Sequence, residues 1–472
     1  MKIYNTLSRS KEELVTGVDG QVRIYACGPT VYNLIHIGNA RPLIVFDTLR
    51  RYLEWRGYDV IFAQNFTDID DKIINKANDD GTDYKTVAEK YIKEYWVDAG
   101  GLGVCPATVH PKATENIDEI ISIIGALIEK GHAYAAGGDV YFHTASFPEY
   151  GKLSHTPLSE LLEGASERVQ AGELKKSGAD FALWKSSKPG EPYWESPWGN
   201  GRPGWHIECS AMCRRYLGET IDIHGGGQDL IFPHHENEIA QSECCNGVPF
   251  ARYWMHNGFI TIDNEKMAKS KGNFFTVRDV AAEYGYEPIR MMMLGCHYRS
   301  PLNYSTDVIE QSKAALTRLT TCRDSLTFAG DAATTNRIKG DADKIRRLSG
   351  YRGRFAEAME DDFNTAGALS AVFDLVRDIN SNVLAGGGAS KTLIAAASEL
   401  FAELTGVLGL LYSSGEEGKS SLDEEIEGLI QLRQEARARK HFAEADRIRD
   451  DLAARGIILE DTKQGVRWKI EN

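Results

Sequence analysis

Near the start of the chain a strand, a loop, a helix and a second strand follow one another within about forty residues, and this order constrains the fold more than any other feature. Val22-Arg23-Ile24-Tyr25-Ala26-Cys27 is a short run of β-branched and aromatic residues stopped by Gly28-Pro29. A helix follows the loop around His36. Pro42 suits its first turn, Leu43, Phe46, Leu49 and Leu53 recur at helical spacing, and Gly57 ends it. Asp59-Val60-Ile61-Phe62-Ala63-Gln64 is the second strand. A unit of this length pairs its strands in parallel, so an α/β architecture on a parallel sheet is expected.

The rhythm breaks at about residue 115. From there to about 200 the chain carries a hairpin strand, Asp139-Val140-Tyr141-Phe142-His143, and a Trp-, Pro- and Gly-rich stretch from Trp184 to Trp205. This reads as an insertion between two halves of the sheet domain. Alternation resumes at Thr220-Ile221-Asp222-Ile223-His224, a strand leading into Gly225-Gly226-Gly227. Beyond about residue 305 the pattern is helical, with Gly386-Gly387-Gly388 separating two helices. The stretch from Ser413 to Ser421 is a linker by composition. The last piece begins with a charged amphipathic helix whose Phe442, Ala445, Ile448 and Leu452 form one stripe, and it ends in a hairpin pattern from Ile457 to Trp468. The expected divisions are residues 1–115 and 201–304 for the sheet domain, 116–200 for the insertion, 305–412 for a helical bundle and 422–472 for a small terminal domain.

No run of about 18 uncharged apolar residues indicates a membrane span. Met1-Lys2-Ile3-Tyr4-Asn5-Thr6 does not begin a secretory signal. The 8 cysteines are scattered through 472 residues, which points to reduced thiols in the cytoplasm and leaves metal binding or core packing as their uses. The net charge of −14 repels phosphate in bulk, so a nucleic-acid partner would have to dock on locally basic faces.

Two short segments carry candidate chemistry. His36-Ile37-Gly38-Asn39 sits where a strand-to-helix loop meets a helix N-terminus, whose unpaired N–H groups and dipole favour phosphate. Gly38 lets the backbone approach a ligand, and the His36 imidazole can donate to a phosphate oxygen. Lys266-Met267-Ala268-Lys269-Ser270 sets two ammonium groups three residues apart in a basic loop beside Gly272. In isolation a loop histidine and a solvated lysine pair are the plainer readings.

A metal site is also open. His234 and Glu238 stand at i and i+4, on one face of a helix. Cys27 ends the first strand, at the edge where open α/β sheets bind ligands, and Cys209 follows Trp205-His206-Ile207-Glu208. Two thiolates, an imidazole and a carboxylate suit tetrahedral zinc. From spacing alone, zinc and plain core packing both remain open.

The two loops together resemble the HIGH-type and KMSKS-type signatures of the class I aminoacyl-tRNA synthetases, with Asn39 where many members have histidine and Ala268 in place of the inner serine. Longer runs are similar to the cysteinyl-tRNA synthetase family. They are Asn65 to Lys72, Gly178 to Lys185, Ser196 to Gly199, Gly201 to Met212, His224 to Glu238 and Asp361 to Ala366. They spread the likeness over nearly the whole chain. The resemblance implies a Rossmann-type parallel-sheet catalytic domain with an insertion, then a helical tRNA-binding bundle and a small anticodon-binding domain.

It further implies ligation of L-cysteine to tRNA(Cys) through cysteinyl-adenylate, with ATP and Mg2+, in a cytoplasmic monomer away from membranes. One zinc ion would be held by Cys27, Cys209, His234 and Glu238 and would recognise the substrate thiol. Catalysis would fall to His36, Asn39, Lys266 and Lys269. Gly38, Gly225, Gly226, Gly227, Asp229 and Lys269 would join His36 and Asn39 at ATP. Thr67, Trp205, His224 and Asp229 would line the cysteine pocket, with Asp229 on the substrate ammonium or the ribose.

The C-terminal end offers its own signal. Arg433, Arg437, Arg439, Lys440, Arg447, Arg449 and Arg455 concentrate in one segment of an acidic chain, and Trp468 lies between Arg467 and Lys469. Interleaved Glu435, Glu444, Asp446, Asp450 and Asp451 leave a solvated, ion-paired helix as the alternative. Two other functions stay in view: a cysteine ligase of mycothiol synthesis, and a non-catalytic paralogue that only binds RNA or nucleotide.

Overall fold

The computed structural model describes residues 1–157, 160, 174–262, 265–266, 274–385, 388–412, 421–455, 457–462 and 465–470. Two compact units form. One comprises Met1–Leu316, Phe355–Ser370 and Val407–Leu410, and the other Thr317–Arg354, Ala371–Gly406 and Leu411–Asn472.

The first unit is built on a 4-stranded sheet in the order Ala251–Asn257, Ile221–Gly227, Gln21–Ala26, Asp59–Gln64. All three pairings are parallel, with Tyr25 opposite His224 and Ala26 opposite Gly225 at the centre. The strand order reverses between Gln21–Ala26 and Ile221–Gly227, and a crevice opens at the carboxyl ends of such a pair. Three of its strands are the expected ones and the edge strand Ala251–Asn257 is not among them; the strands are largely buried because helices pack on the sheet.

Helix Ile37–Trp55 links the first two strands and buries Leu43, Phe46, Leu49 and Leu53. Its start differs from the expected one. Asn39 Oδ1 accepts the His36 backbone N–H at 3.1 Å, which fixes the cap at His36 and puts Pro42 inside the helix rather than in its first turn. At Gly225 the strand needs glycine. A Cβ there would meet Phe46 Cζ at 2.2 Å and the Met255 carbonyl at 2.6 Å.

Between the two strand pairs lies an antiparallel 4-stranded sheet, Ala133–Ala136, Asp139–Phe142, Phe181–Ser186 and Gly201–Pro203, packed on helix Ile117–Glu129. Ile120, Ile124, Val140, Phe142, Leu183 and Trp184 form its core. The last of these strands leads directly into helix Trp205–Leu217, so the insertion sets where that helix begins.

Helices Thr306–Ala332, Asp341–Glu360, Thr365–Asp378 and Lys391–Val407 follow. Gly386 and Gly387 and residues 413–420 lie outside the described residues. The terminal piece holds two helices, Ser421–Ala438 and Phe442–Ala454, where one was expected, and then the hairpin Ile457–Thr462 with Gly465–Ile470. Ile426 and Ile430 from the extra helix pack on Leu452 and Ile457. Of the expected stripe, Ala445 and Leu452 are buried, but Phe442 is 60% exposed because it stands in the first turn, beyond the reach of that core. No helix among the described residues is long and apolar enough to cross a membrane.

Candidate active site

Cys27 leaves the end of Gln21–Ala26 with its N–H bonded to the Gly225 carbonyl at 3.2 Å, at the point where the strand order reverses. Cys209 comes from helix Trp205–Leu217, His234 from the turn Ile231–His235, and Glu238 from helix Glu236–Asn246. One donor atom from each of the four lies within 4.8 Å of the others. Cys27 Sγ is 3.8 Å from Cys209 Sγ and 3.5 Å from Glu238 Oε1. His234 Nε2 is 3.1 Å from the same Glu238 oxygen, so the i, i+4 pair meets although a π-helical turn precedes the helix proper.

A second set, Cys27, His224, His235 and Glu238, meets the same 4.8 Å limit and shares two members with the first. The first set fits zinc better, because it combines two sulfurs with one nitrogen and one oxygen. The other ring nitrogen of His234 faces His206 Nδ1 at 2.8 Å, the outer hydrogen bond that orients a ligating imidazole.

The electrostatics also favour a cation. Against the cost of burial, His224 and His234 hold the Glu238 carboxyl down at about 2. Against burial again, Glu238 and Cys209 push His234 up to about 10. A hydrogen bond from Cys27, with His234 nearby, brings Cys209 down to about 6, while burial pushes Cys27 well up. The cluster thus draws positive charge onto His234, and a metal cation meets the same demand.

Around the cluster, the Trp205 ring lies over His234 with centroids 4.3 Å apart and remains 40% exposed. His224 is fully buried, stacks on Trp254 and gives Nε2 to Glu238 Oε2 at 2.8 Å. Thr67 is buried and donates its hydroxyl to Glu208 Oε2 at 3.0 Å. Asp229 is exposed in the turn after the glycine strand.

Sequence reasoning missed Glu208, His206, His235 and His256. The His235 ring has Nδ1 on His256 Nε2 at 2.8 Å and Nε2 at 3.3 Å from Cys27 Sγ. Of these three histidines His256 lies within a strand of the apolar core, and that placement was the available signal.

His36 caps helix Ile37–Trp55, with Gly38 and Asn39 in its first turn. Gly225, Gly226 and Gly227 lie within the adjoining strand, paired with Met255, His256 and Asn257. Lys266 is described only as backbone, pairing with Thr261, and Met267 through Asn273, with Lys269 and Ser270, lie outside the described residues. The segment that follows is bonded to the first loop. Ile37 N–H donates to the Phe275 carbonyl at 3.1 Å, Val277 N–H to the Ile35 carbonyl at 2.9 Å, and the Phe274 ring is 5.4 Å from His36.

In the terminal piece Arg433 is only 5% exposed and so is no surface cation, because it follows Ile426 and Ile430 on the same helix face. Arg437, Arg439, Lys440, Arg447, Arg449 and Arg455 are exposed. Glu435 pairs with Arg439 at 3.1 Å and Asp450 with Arg449 at 3.2 Å. The side chains of Arg467, Trp468 and Lys469 lie outside the described residues.

A parallel sheet with its site at the switch point and a helix start at His36-Ile37-Gly38-Asn39 fit the catalytic domain of a class I aminoacyl-tRNA synthetase. Residues 13–314 match the family described as tRNA synthetases class I (C) catalytic domain. Residues 354–412 match a DALR domain, and residues 419–468 a cysteinyl-tRNA ligase anticodon binding domain. The chain belongs to the cysteine–tRNA ligase family. It is 54% identical over 470 residues to the Cysteine--tRNA ligase of Clostridioides difficile (strain 630), covering 99% of this chain and 100% of that one. With the Cysteine--tRNA ligase of Symbiobacterium thermophilum it is 56% identical over 471 residues, covering 99% of each. In fold it resembles methionyl-tRNA synthetase of Mycobacterium tuberculosis, solved with methionyl-adenylate (TM-score 0.58, 16% identity, 82% of this chain and 89% of that one). It also resembles a LeuRS of Agrobacterium radiobacter K84 (TM-score 0.59, 12% identity, 83% and 85%).

Proposed function

We propose that the chain activates L-cysteine with ATP, forming cysteinyl-adenylate and pyrophosphate, and transfers the cysteinyl group to the 3′-terminal adenosine of tRNA(Cys). The observation that carries this reading is the convergence of Cys27, Cys209, His234 and Glu238 at the switch point of the sheet. These four residues would hold zinc. Bound there, zinc supplies a soft Lewis acid that prefers a thiolate to a hydroxyl, where shape alone separates near-isosteres by only about 10–200-fold.

The chain's own residues orient the reactants. Trp205 walls the pocket, Thr67 and His224 fix the carboxylates behind it, and Asp229 takes the substrate ammonium or the ribose. Gly225, Gly226 and Gly227 let the adenosine lie against backbone. His36, Gly38 and Asn39 present a helix N-terminus to the phosphates of ATP, while Lys266 and Lys269 and Mg2+ neutralise charge there. Catalysis is positioning and electrostatics, with no protein nucleophile. Residues 305–412 would grip tRNA and residues 422–472 would read its anticodon, a reading supported by the anticodon-domain match.

The test is cysteine-dependent pyrophosphate exchange followed by charging of purified tRNA(Cys). Both activities are expected. Exchange without charging would point to a small-molecule cysteine ligase, and the loss of both would sink the enzyme reading.

A further inference from the structure

Where the amino-terminal segment meets the edge strand Ala251–Asn257, Thr6 N–H bonds the Trp254 carbonyl at 2.9 Å, and a cavity of about 260 Å³ opens beside it. The cationic side chains lining it are Arg9 and Arg299, beside the imidazoles of His155 and of His256, the latter already bonded to Thr6 and His235, and among the described residues lining it there is no carboxylate. That is a local excess of positive charge in a chain with 68 acidic and 54 basic residues.

Arg299 is held in place before any ligand arrives. Its Nε donates to Asp362 Oδ2 at 2.7 Å, and its guanidinium lies 4.2 Å from the centroid of Tyr4. Asp362 is fully buried and also accepts from the Tyr298 hydroxyl at 2.9 Å and the Tyr4 N–H at 2.8 Å. It offsets part of the Arg299 charge, so net attraction rests on Arg9. Arg9 and His155 are exposed at the rim, and both sit on left-handed backbone, at φ 55° and 57°. Such positions favour glycine, and placing a cation there costs about 1 kcal/mol or more.

The cavity is one residue layer from the candidate metal cluster. His256 lines it and bonds His235, whose other nitrogen faces Cys27. A ligand here would therefore be held close to the place where an aminoacyl group meets its acceptor. The space is below that of a drug-sized ligand and suits one phosphate with its sugar. Phosphate contacts of this kind set position without reading sequence.

We infer that the cavity seats a backbone phosphate of the tRNA acceptor end, held by Arg9 and Arg299 with His155 and Gln228 beside them. The inference rests on the tRNA-ligase reading above. Bound phosphate fixes the approach of the terminal adenosine and takes no part in forming the adenylate.

The experiment compares the full-length protein with Arg9→Gly and Arg9→Lys, reading KM for tRNA in charging at several salt concentrations and pyrophosphate exchange without tRNA. Arg9→Gly suits the backbone at this position, so loss of the guanidinium is separated from loss of folding. Arg9→Gly is expected to raise KM for tRNA roughly tenfold and to reduce the slope of its salt dependence by about one. Exchange stays unchanged, and Arg9→Lys retains most of the affinity. Inorganic phosphate, as the free-anion probe, is expected to compete with tRNA more weakly in Arg9→Gly than in the native protein. An unchanged KM overturns the inference, as does a change in exchange equal to that in charging, which would assign the cavity to ATP or a free anion. Absence of exchange in the native protein overturns the ligase reading, and this inference with it.

Discussion

His224 Nε2 and Glu238 Oε2 are 2.8 Å apart, and both side chains are fully buried. This bond turns one carboxylate oxygen of Glu238 away from the cluster and leaves the other facing His234 and Cys27. His224 is thus a positioning residue for a candidate ligand. Loss of such outer partners lowers metal affinity about 10–100-fold. His224→Asn is expected to show that drop in a chelator competition, with its circular dichroism unchanged. Equal affinity for zinc would mean that Glu238 needs no such support.

The fully buried Arg290 guanidinium donates to Asp47 Oδ2 at 2.6 Å, Thr48 Oγ1 at 3.1 Å and the Leu408 carbonyl at 2.9 Å. Removing one member of a buried pair leaves an uncompensated charge. Arg51 still reaches Asp47 at 2.9 Å, so Arg290→Met is expected to cost about 3 kcal/mol, at the low end for such pairs. Denaturant unfolding measures it. A change below about 1 kcal/mol contradicts the assignment.

Three strands of the parallel sheet were legible because short runs rich in β-branched and aromatic residues end at turn residues, whereas the edge strand Ala251–Asn257, with Arg252 and His256 in it, was not. The order of the strands was not legible either. Nothing in the local pattern of Cys27 or Cys209 says that helix Trp205–Leu217 packs on strand Gln21–Ala26, and that packing is what brings the two thiols to 3.8 Å. Helix Ser421–Ala438 escaped notice because Ile426 and Ile430 are set among acidic residues, and Arg433 on the same face was read as a surface cation. Glu208 and His256 look like ordinary polar residues in sequence. Only burial shows that they must be bonded.

Thr67 donates to Glu208 in a site where both are buried, and burial pushes the Glu208 carboxyl well above its usual range. Thr67→Val keeps the shape and removes the donor. The expected loss is about 1–3 kcal/mol of stability, read from the thermal midpoint with native secondary structure retained. A neutral result would mean that water replaces the hydroxyl.

His110 gives a pH dependence. Its Nε2 accepts the Ala107 N–H at 2.8 Å, its Nδ1 faces the Gln64 carbonyl at 2.9 Å, and burial lowers it to about 4. The unfolded chain takes up this proton near 6.5 while the native state does not. Stability is therefore fully present above about 6.5 and falls as pH drops toward 4, by about 2 kcal/mol after allowance for partial exposure. Denaturant titrations across that window are expected to show the fall, and His110→Asn to flatten it. An identical slope in the variant assigns the pH dependence elsewhere.

In the proposed reaction, metal held by Cys27, Cys209, His234 and Glu238 selects the thiol of the substrate. Pyrophosphate exchange with cysteine and with serine, measured before zinc removal, after removal and after reloading, tests it most directly. Strong exchange with cysteine, little with serine, loss of the cysteine signal on removal and its return on reloading are expected. Equal exchange with both amino acids, or exchange indifferent to zinc, would contradict it.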